Sequence, residues 1–173
     1  IRRGIVLYAV HTNLDSAPQG MSWRVAEMLG LENLEVLQST NDSGAGFGVV
    51  GDLACAVPSE EYMQRVMECF GVKALRHSDI VKSEVARVAV CTGAGASLID
   101  VARASGADLY LTADLKYNDF MRHENRIILA DMGHFESEYC AIQILFDILS
   151  KKIPIFAVRK SVCSRNPVNY TVR

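Results

Sequence analysis

Between Glu84 and Met132 the sequence moves back and forth between the period of a strand and the period of a helix. That alternation limits the fold more than any other feature. Glu84–Cys91 reads as a β-branched strand, "TGAGAS" (Thr92–Ser97) as a tight turn, and Leu98–Ala104 as a helix stopped by Gly106. Asp108–Thr112 reads as a second strand, Leu115–Glu124 as a helix and Arg126–Met132 as a third strand. Strands separated by helices return to the same sheet through crossovers and run parallel. The spacing therefore predicts a layered α/β fold with a mixed sheet, at least part of it parallel. Beyond Met132, Ala141, Ile144, Leu145, Ile148 and Leu149 recur at helical spacing on one face. Ile153–Arg159 reads as a closing strand.

The first half is less regular. Gly4–Val10 reads as a strand, and Ser22–Leu29 as a short helix with Ser22 as N-cap and Gly30 just past its end. Leu34–Leu37 and Asp52–Val57 read as strands, and Ser59-Glu60-Glu61 opens a helix that reaches Cys69 and is closed by Gly71. The chain reads as one α/β domain over 1–173, and the glycine-rich stretch 39–51 is its one candidate linker or lobe boundary.

Composition removes several function classes. A formal net charge of −2 over 173 residues gives no basic field for nucleic acid or anionic lipid. The apolar runs are strand-sized, well short of the roughly 18–20 residues that span a bilayer. Neither nucleic acid nor a membrane is expected as a partner. The cysteines (Cys55, Cys69, Cys91, Cys140 and Cys163) are odd in number and never spaced C-x-x-C. This argues against a disulfide framework or zinc ribbon and for a reducing, cytoplasmic setting. The chain opens without Met and runs almost directly into strand-like sequence, so a segment upstream of Ile1 is expected.

In α/β sheets, ligands gather where parallel strands end, which directs attention to the residues after Val10, Cys91, Thr112 and Met132. After Val10 come His11, Thr12, Asn13, Leu14 and Asp15. After Met132 comes "GHFESE", in which His134 and Glu138 lie four apart at the start of a helix and can share one face. An imidazole and a carboxylate so placed make a half-site for a divalent transition metal. A carboxylate such as Asp15 could complete three ligands or bridge two ions. Alone, His134 is better explained as a helix-entry histidine capping the backbone; the second polar cluster after Val10 is what brings the metal reading level with it.

Other stretches carry weaker signals. Gly46–Gly51 matches G-x-G-x-x-G, but no strand-turn-helix unit surrounds it, so a bulge or turn is the better account. "TGAGAS" sits between a strand and a helix, where backbone amides could hold an anion; tight packing explains it as well, and without Gly-Lys-Ser/Thr it is no P-loop. Thr112, Asp114, Lys116 and Tyr117 cluster after another strand, with Asp114 read as a helix N-cap and Lys116 as a solvated charge. His77 and His123 lie in polar stretches and receive no role.

Four segments, "AVHTNLD", "VCTGAGASLI", "ADLYLTADLKYND" and "ADMGHFESE", occur in that order. Together they resemble the NIF3-like family, also called the DUF34 group, some of whose members carry the name GTP cyclohydrolase 1 type 2 homolog. The likeness runs from about Gly4 to "NPVNY" (Asn166–Tyr170). It implies a NIF3-like α/β fold, two divalent ions per chain (zinc, manganese, iron or magnesium), and toroidal hexamers built from dimers. Matched onto this sequence, the family's ligands fall on Asp15, His134 and Glu138, and His11 lines the same pocket as the nearest acid–base candidate. This chain departs from the family pattern in lacking the upstream His-His pair, in running from Gln38 straight into the glycine-rich stretch where bacterial members carry an inserted domain, and in having Asn118 where a histidine is expected. The resemblance leaves two functions open: a metal-dependent hydrolase acting on a nucleotide or phosphorylated small molecule, or a non-enzymatic metal-binding scaffold or interaction protein. A shared fold does not choose between them.

Overall fold

The computed structural model describes residues 2–41 and 43–171. Its centre is a six-stranded mixed sheet in the order β1-β2-β4-β5-β6-β3. The strands are β1 (Glu32–Ser39), β2 (Gly46–Pro58), β3 (Arg76–His77), β4 (Glu84–Ala94), β5 (Leu109–Ala113) and β6 (Ile128–Asp131). β4, β5 and β6 run parallel, with Val88 opposite Leu109 and Tyr110 opposite Leu129. β2 is antiparallel to both β1 and β4, and the short β3 lies antiparallel on the outer edge of β6.

The parallel strands are buried on both faces, which is why they read as almost continuous apolar runs. Successive side chains alternate between two cores. Val88, Val90, Leu109, Leu111, Ile128 and Ala130 face one side, where Val25 of α2 (Met21–Met28) and Tyr62 and Val66 of α3 (Ser59–Phe70) cover them. Ala89, Cys91, Tyr110 and Leu129 face the other, against Ile99 and Ala102 of α4 (Ile99–Ala104). α3 begins with Glu60 and Glu61 in its first turn, where the helix dipole favours anions, and ends in a left-handed turn at Gly71.

Several expectations need correction. Gly4–Val10 is irregular rather than a strand, with Val6 and Leu7 each 91% exposed. Ile153–Arg159 forms no strand either, and leaves Ile155 87% and Phe156 68% exposed. Both have strand composition, but among the described residues neither finds a neighbouring strand, and β-propensity without a pairing partner fixes no backbone. Ser22 is not an N-cap, because α2 starts at Met21 behind Gly20. The Ser22 hydroxyl is turned inward, accepting the Thr92 backbone N–H at 3.1 Å. The helix expected over Leu115–Glu124 is shortened to α5 (Tyr117–Phe120) and a 3-10 turn, Met121–His123. Its first residue is diverted, since the Leu115 N–H donates to the buried Asp131 carboxylate at 2.9 Å.

The glycine-rich stretch enters β2 at Gly46, so Gly46–Gly51 is hairpin strand paired to β1. The helical sequence after Met132 divides into α6 (His134–Glu138) and α7 (Ala141–Lys152), and no residue of α7 is fully buried. Among the described residues no helix is long and apolar enough to cross a membrane.

Candidate functional site

The C-terminal ends of β4, β5 and β6 open on one side of the sheet, and two short helices close over them. One is α1 (Thr12–Asp15), a single turn following His11. The other is α6, which leaves β6 through Gly133 at φ +91°, a backbone state that L side chains rarely adopt. His11, Asp15, Thr92, Gly93, His134 and Glu138 border one cavity of about 400 Å³. His134 and Glu138 also border a second cavity of about 660 Å³, on the side of Asp114 and Phe135. The two residues are therefore shared between both spaces.

His134 and Glu138 open and close the five-residue α6, and their spacing puts Nε2 3.3 Å from Oε2. The other ring nitrogen, Nδ1, donates to Asp114 Oδ2 at 2.7 Å. The imidazole thus stands between two carboxylates. Its pKa is raised, chiefly by the Asp114 hydrogen bond and further by the charge of Glu138, against a lowering from partial burial. α6 is pinned to β4 by Ser137, whose hydroxyl accepts the Gly93 N–H at 2.9 Å and donates to the His134 carbonyl at 2.8 Å. Gly93 itself has φ +65°, and a Cβ there would collide with the Glu138 carboxylate. The turn after β4 packs onto β5, with the Tyr110 hydroxyl donating to the Gly95 carbonyl at 2.8 Å. That close packing accounts for "TGAGAS".

Asp15 reaches the cavity from α1. Burial raises its pKa first and the charge of Glu138 raises it further, while His11 and His134 pull it down. Beneath them the Cys91 thiol is pushed up to about 11, mainly by burial, with Asp15 and Glu138 adding to the effect. Negative charge is therefore concentrated on a partly desolvated space. His11 is exposed; its backbone N–H is held by Asn13 Oδ1 at 2.8 Å and its ring Nδ1 lies 2.9 Å from Thr12 Oγ1.

The structure brings all four sequence-selected residues, His11, Asp15, His134 and Glu138, to one cavity. Among the described residues, however, no three metal-binding side chains stand close enough together to enclose an ion. His134 and Glu138 form a ready pair, and Asp15 faces them without closing the set.

Two residues escaped sequence reasoning. Asp114 is not an N-cap; it sits in the left-handed region at φ +55°, and Lys116 precedes α5, donating its N–H to Asp119 Oδ2 at 2.8 Å. Asp131, at the end of β6, is 3% exposed and accepts from Arg76, Leu115 and Gly133. A carboxylate directly before Met-Gly-His is visible in the sequence, but the partners that use it are not.

Fold and site together define a class: an α/β protein that gathers imidazole and carboxylate groups at the C-terminal edge of a mixed sheet. Comparison with known proteins narrows the class. The sequence profile of Duf34/NIF3 (NGG1p interacting factor 3) matches residues 1–167. A Clostridium acetobutylicum protein named GTP cyclohydrolase 1 type 2 homolog is 31% identical over 156 residues, covering 88% of this chain and 57% of the relative. A Streptococcus pneumoniae protein of the same name is 33% identical over 142 residues, covering 78% and 52%. The crystal structure of a Bacillus cereus protein related to NIF3 superposes with a TM-score of 0.87 at 18% identity, over 98% of this chain and 75% of that one. The chain belongs to the Duf34/NIF3 family, and it spans little more than half the length of these two named relatives.

Proposed function

We propose that this chain binds divalent metal through Asp15, His134 and Glu138 and acts as a metal-dependent hydrolase on a nucleotide or phosphorylated small molecule. One observation carries the reading: Asp15, His134 and Glu138 border one cavity, where partial burial and the nearby Glu138 charge raise the Asp15 pKa. A cation would relieve the repulsion between the two carboxylates. The donor chemistry fits, since an imidazole with carboxylates is a usual set for zinc, manganese or iron. The pair is ready at 3.3 Å, and a shift of α1 would carry Asp15 toward it. The two ions implied by the family resemblance need more donors than these three side chains, a role that the upstream His-His pair of the family pattern would fill.

An ion held there supplies Lewis acidity toward a substrate oxygen and lowers the pKa of water. The protein's own part is positional. Asp15, His134 and Glu138 would hold the ion, Gly93 leaves room for the Glu138 carboxylate, and the exposed His11 ring on the same cavity would accept or return a proton. The adjoining cavity of about 660 Å³ has the size of a small-molecule site. Phe135 and Tyr139 line it, two aromatic rings against which a base could pack. A cytoplasmic location is supported by five free cysteines.

A second reading, a non-enzymatic metal-binding scaffold, is favoured by the exposed apolar segment Ile5–Tyr8 and by Ile155 and Phe156. Such surface suits assembly into a homo-oligomer, a hexamer built from dimers on the family pattern.

Elemental analysis of metal per chain, beside turnover of a nucleotide panel with Mn²⁺, Zn²⁺ or Fe²⁺, tests these readings. Asp15→Ala and Glu138→Ala are expected to lose both bound metal and turnover while remaining folded. A metal-loaded protein that turns over nothing favours the scaffold. Chain that takes up no metal after chelator-free purification and reloading overturns both.

A further inference from the structure

The Asp114 carboxylate has no place in the ligand set, yet it is hydrogen-bonded to the ring of one of the ligands. It lies at the end of β5, its backbone is held at φ +55°, and its Oδ2 accepts from His134 Nδ1 at 2.7 Å. A non-glycine residue in this region carries strain that persists only when its surroundings impose it. Here the surroundings are identifiable. The buried Asp131 carboxylate accepts the Leu115 N–H at 2.9 Å through Oδ2 and the Gly133 N–H at 3.0 Å through Oδ1. Leu115 follows Asp114 and Gly133 precedes His134. One carboxylate therefore locks the loop after β5 to the loop after β6, and the Arg76 guanidinium closes on it from the edge strand.

We propose that Asp114 is a positioning residue for the metal centre: it holds the His134 ring through Nδ1 so that Nε2 is presented, beside Glu138, to a divalent cation, and Asp131 fixes the two loops that make this possible. The inference rests on the metal-binding reading above. A carboxylate accepting from Nδ1 fixes the proton on that nitrogen in the neutral ring and leaves the Nε2 lone pair free. Histidines that bind metals usually have such an acceptor on the opposite nitrogen, and its loss typically lowers metal affinity 10–100-fold. Nε2 already faces the Glu138 carboxylate at 3.3 Å, so the ring needs no rotation to coordinate. The helix-cap alternative for Asp114 is removed by Lys116 and Asp119, which occupy the start of α5.

The test is Asp114→Gly, with Asp114→Asn as the conservative variant. Glycine relaxes the positive φ, so the fold is expected to stay as stable as the parent, with an unchanged or higher Tm. Zn²⁺ affinity, measured by competition with a chromophoric chelator, is expected to fall 10–100-fold in Asp114→Gly. Asn, which can accept from Nδ1 without the charge, should restore part of the loss. In the metal-free protein, at an alkaline pH where the ring is neutral, ¹⁵N shifts of His134, assigned by their absence in His134→Gln, should report the Nδ1–H tautomer in the parent and a mixed population in Asp114→Gly. Parent-like zinc affinity and an unchanged ring signal in Asp114→Gly would overturn the positioning role and leave the metal centre standing. A parent chain that binds no zinc would overturn the metal centre, and Asp114's role with it.

Discussion

Gly93 sets how closely β4 and α6 can approach. Its φ of +65° and the Glu138 carboxylate over its missing side chain leave no room for a Cβ, and the nearest atom of His134 would lie 3.5 Å away. Gly93→Ala is expected to displace Glu138 from His134 and to destabilise the fold by about 1–3 kcal/mol, through backbone strain and the forced shift of α6. Chemical denaturation measures the second effect, and zinc titration the first. At this scale the sequence was partly legible. The sequence selects His11, Asp15, His134 and Glu138 as polar residues released at the ends of apolar runs, and the fold brings them to one cavity. Asp114 and Asp131 were missed because their roles depend on a left-handed backbone and on partners 16 to 55 residues away. Nothing local in "TADLKYND" separates a strained carboxylate aimed at an imidazole from a helix cap.

Among elements, legibility followed pairing. β4, β5 and β6 were readable with nearly correct ends, because each is flanked by strands and buried on both faces. Gly4–Val10 and Ile153–Arg159 have the same residue types but, among the described residues, no strand beside them, and the two-residue β3 is too short to leave a pattern. The antiparallel side of the sheet is tied by charge as well as by backbone. Asp52 on β2 pairs with Arg87 on β4, Oδ1 to Nη1 at 2.6 Å, and this hydrogen bond lowers the Asp52 pKa, with a smaller contribution from Asn33. A depressed folded-state pKa contributes stability that is present above the ordinary carboxylate value and lost as pH falls through the lowered one. Arg87→Gln should therefore return the Asp52 pKa toward its ordinary value, and the acid limb of the stability curve should lose that contribution. A ¹³C-carboxyl NMR titration of both proteins checks it; an unmoved Asp52 would show that the pair does not persist in solution.

At the scale of the whole molecule, exposed apolar surface and the candidate site lie along the same stretch of chain. Leaving a Val or Leu side chain in water forgoes about 1.5–3 kcal/mol of burial, and Val6 and Leu7 are each 91% exposed. The segment they belong to leads directly into His11 and α1, a single helical turn with no buried residue of its own. α1 carries Asp15, so the position of that carboxylate depends on whatever holds the segment before it. In the proposed assembly, a second copy seated on Ile5–Tyr8 would anchor α1 and set the distance from Asp15 to the His134–Glu138 pair. Ile155 and Phe156 are exposed as well, but they follow α7 in the chain and do not lead into α1. The two surfaces should therefore separate under mutation. Val6→Glu with Leu7→Glu is expected to reduce association and to weaken zinc binding together, by roughly tenfold for the loss of one well-placed ligand contact of about 1.4 kcal/mol. Phe156→Glu should reduce association alone. Sedimentation velocity beside zinc titration distinguishes the two, and zinc affinity that is indifferent to Val6→Glu and Leu7→Glu would show that α1 holds Asp15 without help from a neighbour.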